Sequence, residues 1–464
     1  MLRLLKQYFP IRNIVFFIFE GIIIFGSVLL ATILLTYSDS YMFDVFLILR
    51  ISLFTFICQT CLYYNDLYDF DVSSTLAETA IRLLQALGIT SIFLALIYLV
   101  FPLAIIDQKI YILSILILFV FIVGWRLLYI QILNKGIFNE TIIILGSSSL
   151  ALDIYREISN TIDCGYTVAV MIPDNENEEY PIELPDDVII QKDKKNLCRI
   201  ASEMEINKVV VALKERRGAF PTDELIRCRT AGIEVIEGSS FYEMLTGKVL
   251  VRKINPSWLI FSDGFRKSRI KTFFKRVEDI VLSLVMLILL SPLLLVVAIL
   301  IKLDSKGPVF FVQDRVGLNK KEYMMHKFRS MVDDAEKLTG PVWAQENDSR
   351  VTRVGKVIRK CRIDELPQLW EVLTGKMSLV GPRPERRHFI EELEKQIPFY
   401  AQRFNVKPGL TGWAQVCYDY GATIEDAVEK LNYDLFYIKN MSLAMDMIII
   451  LRTVKTVLFG RGAR

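Results

Sequence analysis

The sequence predicts an α+β membrane protein with four N-terminal transmembrane helices, an α/β module and a C-terminal, mainly helical domain that begins with a re-entrant helix. Three observations lead to this fold class. Hydrophobic residues make up 53% of the 464 residues, and the mean hydropathy of +0.37 is too high for an ordinary soluble protein. Apolar runs dominate the first third, and the middle section alternates strand-like with helix-like segments. We place the three parts at residues 1–136, 137–264 and 265–464.

Four apolar runs in the first part are each close to the ~20 residues that a helix needs to cross a bilayer. Basic residues precede the first run and follow the fourth, whereas the loop after the first run holds Asp39 and Asp44 but no Lys or Arg. By the positive-inside rule, both ends of this four-helix unit are cytoplasmic. The runs are approximately 13–36, 43–63, 83–103 and 110–133.

Charge and cysteine usage argue against a nucleic-acid partner and against a zinc or redox site. The net charge of +3 is nearly balanced and predicts no nucleic-acid partner. Cys58 and Cys61 form a C-x-x-C, but they lie inside an apolar run without a second cysteine pair. We therefore interpret them as small core residues and not as a zinc or redox site.

The middle part predicts a cytoplasmic Rossmann-like module, because strands and helices alternate as in a parallel sheet. Residues 141–146 read as a buried strand, and Ser147 and its neighbours open a helix. A glycine followed by serines at a helix N-terminus suits a phosphate, but the pattern is not G-x-G-x-x-G. We favour a structural or regulatory module over a nucleotide site. The other predicted strands are 167–172, 208–213 and 233–236.

The third part begins with an apolar run, Ile280–Leu303, whose two flanks are both strongly basic. Both flanks are therefore expected in the cytoplasm. Ser291-Pro292 lies at the middle of the run, and a proline interrupts helical hydrogen bonding. Each half would be roughly 18 Å long, too short for ~30 Å of hydrocarbon. The pattern predicts a re-entrant helix over 275–303; the alternative is a kinked fifth span, which would place the following residues outside the cell.

Functional residue types become dense after this run. Asp364 and Glu365 follow a short stretch, 359–362, that holds three cations, and Pro367 suits the first turn of a helix. Asp364 would then lie at or near the N-cap, where the helix dipole and the cations would keep it ionised. Such a carboxylate can attack a phosphorus atom, and Glu365 could hold Mg²⁺. From these residues alone, an N-cap aspartate with surface ion pairs is the favoured alternative.

A second cluster, Gly381-Pro-Arg-Pro384, fixes the backbone around Arg383 with two prolines. Such rigidity suits an anion clamp, although a sharp structural turn would need the same residues.

Residues 268–464 resemble the bacterial sugar transferases known as monotopic polyprenyl-phosphate phosphoglycosyl transferases. The four spans and the α/β module resemble the longer members of this family, which initiate exopolysaccharide or O-antigen synthesis. The motifs that carry the resemblance are Lys275-Arg276 before Ser291-Pro292, Lys-Phe-Arg-Ser-Met at 327–331, Asp-Glu-Leu-Pro-Gln-Leu at 364–369, Met-Ser-Leu-Val-Gly-Pro-Arg-Pro at 377–384 and Pro-Gly-Leu-Thr-Gly-Trp-Ala-Gln at 408–415.

The resemblance implies a ping-pong enzyme at the cytoplasmic face of the bacterial inner membrane. Asp364 would attack the β-phosphorus of a UDP-sugar, release UMP and carry the phosphosugar to undecaprenyl phosphate. It further implies that Glu365 is associated with Mg²⁺, or with Mn²⁺. The same match makes four cations candidates for phosphate or active-site contacts: Lys327, Arg329, Arg359 and Arg383.

Three points stay open at this level. Cys361-Arg362 and the range 416–421 depart from common family patterns and leave the identity of the sugar undecided. Amphipathic stretches at 387–400 and 442–459 suit contact with membrane lipids, and also suit a protein core. A homodimer through the α/β module is also open.

The rival functions are a membrane-bound nucleotide-sugar dehydratase or epimerase, for which we find no convincing dinucleotide loop, and a non-catalytic scaffold of the same fold.

Overall fold

A computed structural model describes most of the chain, which divides into two compact units. The first unit holds residues 1–3 and 8–241, and the second holds 4–7 and 242–464. The predicted boundary at 136/137 lies outside the described residues. Those residues are 2–4, 7–9, 11–36, 45–68, 76–134, 139–161, 164–175, 180, 188–191, 194–214, 220–253, 264–265, 268–332, 350–418, 421 and 423–458.

Four long apolar helices follow two short strands, β1 (Leu2–Leu4) and β2 (Gln7–Phe9). Each helix is long and apolar enough to cross a membrane, which confirms the predicted four. The third begins at Leu76 and not at 83. The predicted apolar run started after the charged residue Arg82, but Arg82 lies inside the helix and is paired with Asp66 at 3.3 Å. The helices are α1 (Ile11–Thr36), α2 (Val45–Tyr64), α3 (Leu76–Val100) and α4 (Gln108–Asn134).

The interior of this helical bundle is mostly apolar. Cys58 and Cys61 are buried in its core, as predicted. One buried ion pair joins α1 to α4, since Arg126 Nη2 lies 2.7 Å from Glu20 Oε1. A buried charge without its partner costs several kcal/mol, so this pair ties the two helices together in one arrangement.

The α/β module is a five-stranded parallel sheet with strand order β5-β4-β3-β6-β7. Four of its strands match the predicted ones, and the short β5 is additional. Ser148 caps α5, because its side chain accepts a hydrogen bond from Ala151 N. The elements are β3 (Glu140–Leu145), α5 (Ser149–Asn160), β4 (Tyr166–Ile172), β5 (Ile189–Ile190), α6 (Leu197–Glu203), β6 (Lys208–Val211), α7 (Thr222–Thr230), β7 (Glu234–Glu237) and α8 (Gly238–Thr246).

The second unit contains a 36-residue helix, α9 (Arg269–Asp304), which runs without interruption through Pro292. The predicted break of the helix at Ser291-Pro292 is therefore wrong, whereas the predicted re-entrant path of this helix stays a prediction. Proline lacks the N–H that would bond the carbonyl of Ile288, four residues earlier. The Ser291 hydroxyl donates to that same carbonyl at 2.8 Å and replaces the missing bond.

Both ends of α9 are held by one short segment of the second unit. Near the start, Arg276 donates to the carbonyl oxygens of Val372 and Leu373 at 2.6 and 2.7 Å. At the end, Asp304 accepts a hydrogen bond from Val354 N at 3.0 Å. Many apolar side chains between these contacts are exposed in the isolated chain, as expected for a membrane-embedded helix.

The rest of the second unit packs small sheets and helices around one apolar core. Val249 and Val251 pack into that core and belong to this unit, which includes residues from Tyr242 onward. The start of the third part at 265 stays a prediction. The sequence prediction did not include the antiparallel hairpin β8/β9 or the parallel pair β10/β11. The elements are β8 (Phe310–Val316), β9 (Glu322–Phe328), α10 (Arg353–Lys360), α11 (Leu369–Thr374), β10 (Ser378–Val380), α12 (Arg387–Gln396), β11 (Gly409–Thr411), α13 (Trp413–Cys417), α14 (Ile424–Asn440) and α15 (Leu443–Leu458).

Candidate active site

The acidic pair lies in a six-residue 3-10 turn, Ile363–Gln368, between α10 and α11. Arg362 caps this turn in the left-handed region, with φ of 56°, and Asp364 is its second residue. Asp364 is thus near a cap, as predicted, but α11 itself begins only at Leu369. The expected contribution of an α-helix dipole at Asp364 is absent from this arrangement, since that effect is confined to the first turn of an α-helix.

Glu365 is buried and is clamped by two cations. Lys327 Nζ lies 2.8 Å from Oε1, and Arg383 Nη2 lies 2.6 Å from the same oxygen. A longer contact of 3.5 Å joins Arg383 Nη1 to Oε2. Lys327 comes from β9 and Arg383 from the proline-flanked loop after β10, so three separate segments meet at one carboxylate.

The two neighbouring carboxylates differ in electrostatics. Burial alone raises the pKa of Glu365, but Arg383 and Lys327 more than offset it and hold that pKa well below its usual range. Burial and the charge of Glu365 raise the pKa of Asp364 to about 6. We expected a helix dipole and the cations at 359–362 to keep Asp364 ionised; its pKa is instead raised, and the two cations Lys327 and Arg383 bind Glu365. Asp364 is nonetheless mostly ionised at neutral pH.

One oxygen of Asp364 is available for chemistry. Oδ1 is buried and has no hydrogen-bond partner among the residues that the structure describes. An unsatisfied carboxylate oxygen in a buried site costs free energy, which an electrophile or a cation at that position would recover. The arrangement therefore offers one poised oxygen beside a second, neutralised carboxylate.

Two other predicted site residues lie apart from this clamp. Arg329 is buried, and its guanidinium donates to the Ser305 carbonyl and hydroxyl and to the Lys306 carbonyl at 2.8–2.9 Å. These contacts anchor the residues that follow α9, so the structure gives Arg329 a packing role. Arg359 is half-buried near the end of α10, five residues before Asp364. A phosphate contact for either residue stays a prediction.

Sequence reasoning missed a histidine–glutamate pair beside the clamp. His326, the neighbour of Lys327, places Nδ1 2.6 Å from Oε1 of Glu371. Glu371 is 1% exposed, and its second oxygen has no partner among the described residues. Nothing in the spacing of these two residues signals the contact, because it depends on how the hairpin packs against α11.

The residues present fit a divalent cation only together with substrate oxygens. Within the described ranges, no group of three or more His, Cys, Asp or Glu side chains is arranged so that it could hold a metal ion by itself. Asp364 and Glu365 are adjacent carboxylates, and Mg²⁺ is commonly held by one or two carboxylates plus substrate phosphates. The unpartnered Asp364 Oδ1 suits such an ion, whereas Glu365 would share its charge with Lys327 and Arg383.

The serine-rich start of α5 is a second candidate anion site, and it is filled by the chain itself. Asp174 Oδ2 accepts hydrogen bonds from both the N–H and the hydroxyl of Ser147, each at 2.9 Å. Its other oxygen accepts from Lys214 N at 3.2 Å. Gly146 has φ of 132°, and a Cβ there would lie 2.1 Å from the Ala212 carbonyl. The glycine therefore serves a close approach of two strands.

Comparisons with known proteins give two family matches. Residues 270–460 match the bacterial sugar transferase family, and residues 64–219 match a family described as CoA-binding domain. Because the Asp174 carboxylate occupies the N–H and the hydroxyl of Ser147, just before α5, these groups do not fit a phosphate of coenzyme A. We therefore derive no step through that cofactor.

Individual relatives each match part of the chain. A UDP-N-acetylgalactosamine-undecaprenyl-phosphate N-acetylgalactosaminephosphotransferase of Aeromonas hydrophila is 47% identical over 240 residues, 52% of this chain and 56% of the relative. A UDP-glucose:undecaprenyl-phosphate glucose-1-phosphate transferase of Klebsiella pneumoniae is 45% identical over 40% of each chain. An exopolysaccharide production protein of Rhizobium leguminosarum bv. phaseoli is 45% identical, with 97% of that relative covered. The chain thus spans about half the length of the first relative and less of the second.

Proposed function

The chain belongs to the bacterial sugar transferase family, and from this premise we propose that it transfers a sugar-1-phosphate from a UDP-sugar to undecaprenyl phosphate. The products would be UMP and undecaprenyl-diphosphate-sugar, the first membrane step of exopolysaccharide, capsule or O-antigen synthesis. The observation that carries the proposal is the contrast between Asp364, with one unpartnered buried oxygen, and Glu365, clamped by Lys327 and Arg383.

The proposed reaction has two displacements at phosphorus. Asp364 Oδ1 attacks the β-phosphorus, a new oxygen–phosphorus bond forms, and the bond to the α-phosphate bridging oxygen breaks with its electron pair on UMP. A phosphate oxygen of undecaprenyl phosphate then attacks the aspartyl phosphosugar, and the carboxylate leaves. Neither displacement requires a proton, which agrees with a site built from two carboxylates and two cations.

Different residues of the chain would neutralise different negative charges at the site. Lys327 and Arg383 neutralise Glu365, so that a diphosphate can approach two adjacent carboxylates with less repulsion. We propose that Glu365, with substrate oxygens, also holds Mg²⁺ or Mn²⁺, which would neutralise the diphosphate and stabilise the leaving phosphate.

The attachment of α9 supports a re-entrant topology at the cytoplasmic face. Arg276 and Asp304 are bonded to Val372 and Val354, which belong to one short segment. If α9 crossed the bilayer, that segment would have to reach both faces through ~30 Å of hydrocarbon. Both ends of α9 would therefore lie on one side, where soluble UDP-sugars and a lipid phosphate can meet.

The test is a two-stage assay of the purified full-length protein. Without undecaprenyl phosphate, each protein molecule should release about one UMP and gain the mass of one phosphosugar. With undecaprenyl phosphate, release should continue over many turnovers. Because the relatives' names include both glucose and N-acetylgalactosamine, a panel of UDP-sugars is required. No UMP release with any of them would favour a non-catalytic scaffold; conversion of the UDP-sugar without UMP would favour the dehydratase or epimerase alternative.

A further inference from the structure

The loop that carries Arg383 is held through its backbone by hydrogen bonds from other segments. Each carbonyl oxygen from 382 to 385 receives such a bond. The donors are Gly409 N to Pro382 O at 2.9 Å, Arg403 Nη2 to Arg383 O at 3.1 Å, Arg315 Nη1 to Pro384 O at 3.1 Å and Val316 N to Glu385 O at 3.1 Å.

Arg403 differs from the other donors because it is a buried cation that binds Arg383, the residue whose side chain holds Glu365. It lies in a 3-10 turn, Tyr400–Asn405, and is 7% exposed. Its Nη2 also lies 2.9 Å from Oδ2 of Asp434, and its Nη1 donates to the Tyr400 hydroxyl. Asp434 belongs to α14 and is 2% exposed, so the guanidinium is fixed from both sides.

These contacts form a chain of three bonded residues that ends at the acidic pair. Asp434 binds Arg403, Arg403 binds the carbonyl of Arg383, and the Arg383 side chain binds Glu365 at 2.6 Å. Within the described part of the chain, Arg403 forms no hydrogen bond or ion pair with Asp364 or Glu365, so its influence on them passes through Arg383.

We propose that Arg403 is a positioning residue for the sugar-phosphate transfer, which fixes the backbone of Arg383 so that its guanidinium meets Glu365. The inference rests on the proposed function. We expect the position of Arg383 to affect the rate of transfer, because misplacement of an active-site group by about 1 Å can cost roughly a hundredfold in catalysis. Neither family match assigns this role to Arg403.

A purely structural role for Arg403 would predict something different. Loss of a buried ion pair would lower stability and the fraction of folded protein, with no special dependence on Arg383. Positioning through Arg383 predicts coupling: once the Arg383 side chain is shortened, Arg403 has nothing left to position. A double-mutant cycle separates these two cases.

The experiment measures single-turnover release of UMP by full-length protein, together with the apparent Tm of each variant. Arg403→Lys keeps the charge but loses the planar fork, and Asp434→Asn keeps the shape but loses the charge. Each should slow the first half-reaction about ten- to a hundredfold, with a smaller change in KM. Arg387→Gln, at a 58% exposed arginine paired with Glu322, is the matched control and should keep the wild-type rate.

In an Arg383→Gln background, Arg403→Lys and Asp434→Asn should each slow the reaction by no more than about twofold further. Independent, multiplicative losses would overturn the inference, as would wild-type rates for both single variants. If Arg403→Lys does not fold, Asp434→Asn decides alone, since it retains a hydrogen-bonding oxygen for Arg403. An inactive wild-type protein would instead contradict the proposed function, so the two failures are distinguishable.

Discussion

Asp364 and Glu365 are neighbours in the chain, yet their carboxylates have opposite surroundings. Glu365 Oε1 accepts hydrogen bonds from Lys327 at 2.8 Å and from Arg383 at 2.6 Å. Asp364 Oδ1 is buried and has no partner within the described residues. The positive charge of the site therefore neutralises the second carboxylate and leaves a buried oxygen of the first without a hydrogen-bond partner.

Replacing Asp364 with Asn should abolish the covalent adduct and reduce turnover by at least about a thousandfold, because an amide oxygen is a poor nucleophile. Intact mass spectrometry after incubation with the UDP-sugar checks the adduct, and UMP release checks the rate. Asp314→Asn, at an exposed aspartate of β8, is the matched control and should retain both. An adduct of full stoichiometry on the Asp364 variant would mean that another residue is the nucleophile.

The rate of the first half-reaction should fall as the pH drops below about 6. Burial and Glu365 raise the pKa of Asp364 to about 6, and only the ionised form attacks phosphorus. Below that value the rate should fall about tenfold per pH unit. Lys327 lowers the pKa of Asp364, so Lys327→Met should move the acid limb to higher pH.

The matched control for this pH profile is Lys321→Met, at an exposed lysine beyond the clamp. Its acid limb should coincide with that of the wild type. A Lys327→Met profile that stays in place, or moves to lower pH, would show that Asp364 is not the titrating group.

Removal of divalent cations should stop the reaction. Two carboxylates facing a diphosphate repel it, and a metal ion contributes several kcal/mol of charge stabilisation, a rate effect of at least about a hundredfold. EDTA should therefore abolish UMP release, and Mg²⁺ or Mn²⁺ should restore it. Glu365→Gln should raise the Mg²⁺ concentration needed for half-maximal rate, whereas the exposed Glu391→Gln should not. Undiminished activity in excess EDTA would sink the proposed metal role.

Asp174 should be a structural residue of the α/β module. Asp174→Ala removes the acceptor for Ser147 N and Lys214 N, and each unsatisfied buried donor costs about 1–3 kcal/mol. The apparent Tm or the resistance of the module to proteolysis should therefore fall, and less so in Asp174→Asn, whose amide oxygen still accepts. Coenzyme A should leave the wild-type Tm unchanged; a clear stabilisation would show that the ligand displaces Asp174 or binds elsewhere.

Local sequence patterns predicted those elements whose causes are local. The four apolar helices follow from residue composition, and strands such as β3 follow from runs of β-branched residues. The short strand pair β10/β11 was missed because it forms between segments about thirty residues apart, with Ser378 opposite Gly409. The sequence of one segment alone cannot predict that it pairs with a strand so far along the chain.

The same distinction applies to the site. The Asp364-Glu365 pair is adjacent in the sequence and could be recognised there, but its partners could not. Lys327 and Arg383 approach Glu365 from 38 and 18 residues away, and Arg403 reaches Arg383 from 20. Which carboxylate Lys327 and Arg383 bind depends on side-chain direction in the folded chain, and no pattern in the sequence indicated that it would be Glu365.

The helix α9 gives the final prediction, since its sequence and its contacts lead to the same topology by different routes. The basic flanks predict that both ends lie in the cytoplasm, and Arg276 and Asp304 bind one segment of the second unit. Single cysteines at Lys271 and Lys321, both exposed, should therefore be equally protected from a membrane-impermeant maleimide in intact spheroplasts. After lysis both should react. The background for this test lacks the seven native cysteines.

Labelling of the second site alone in intact spheroplasts would mean that α9 spans the bilayer. Pro292→Leu provides a sharper form of the test, because it restores the N–H that Ile288 O lacks and removes the ring clash. Some molecules should then adopt a full span, expose position 321 and lose UMP release. Ser291→Ala removes the hydroxyl that now satisfies Ile288 O but keeps the proline, so it should retain the topology. If Pro292→Leu keeps both topology and rate, the anchoring bonds of Arg276 and Asp304 fix the two ends without the proline.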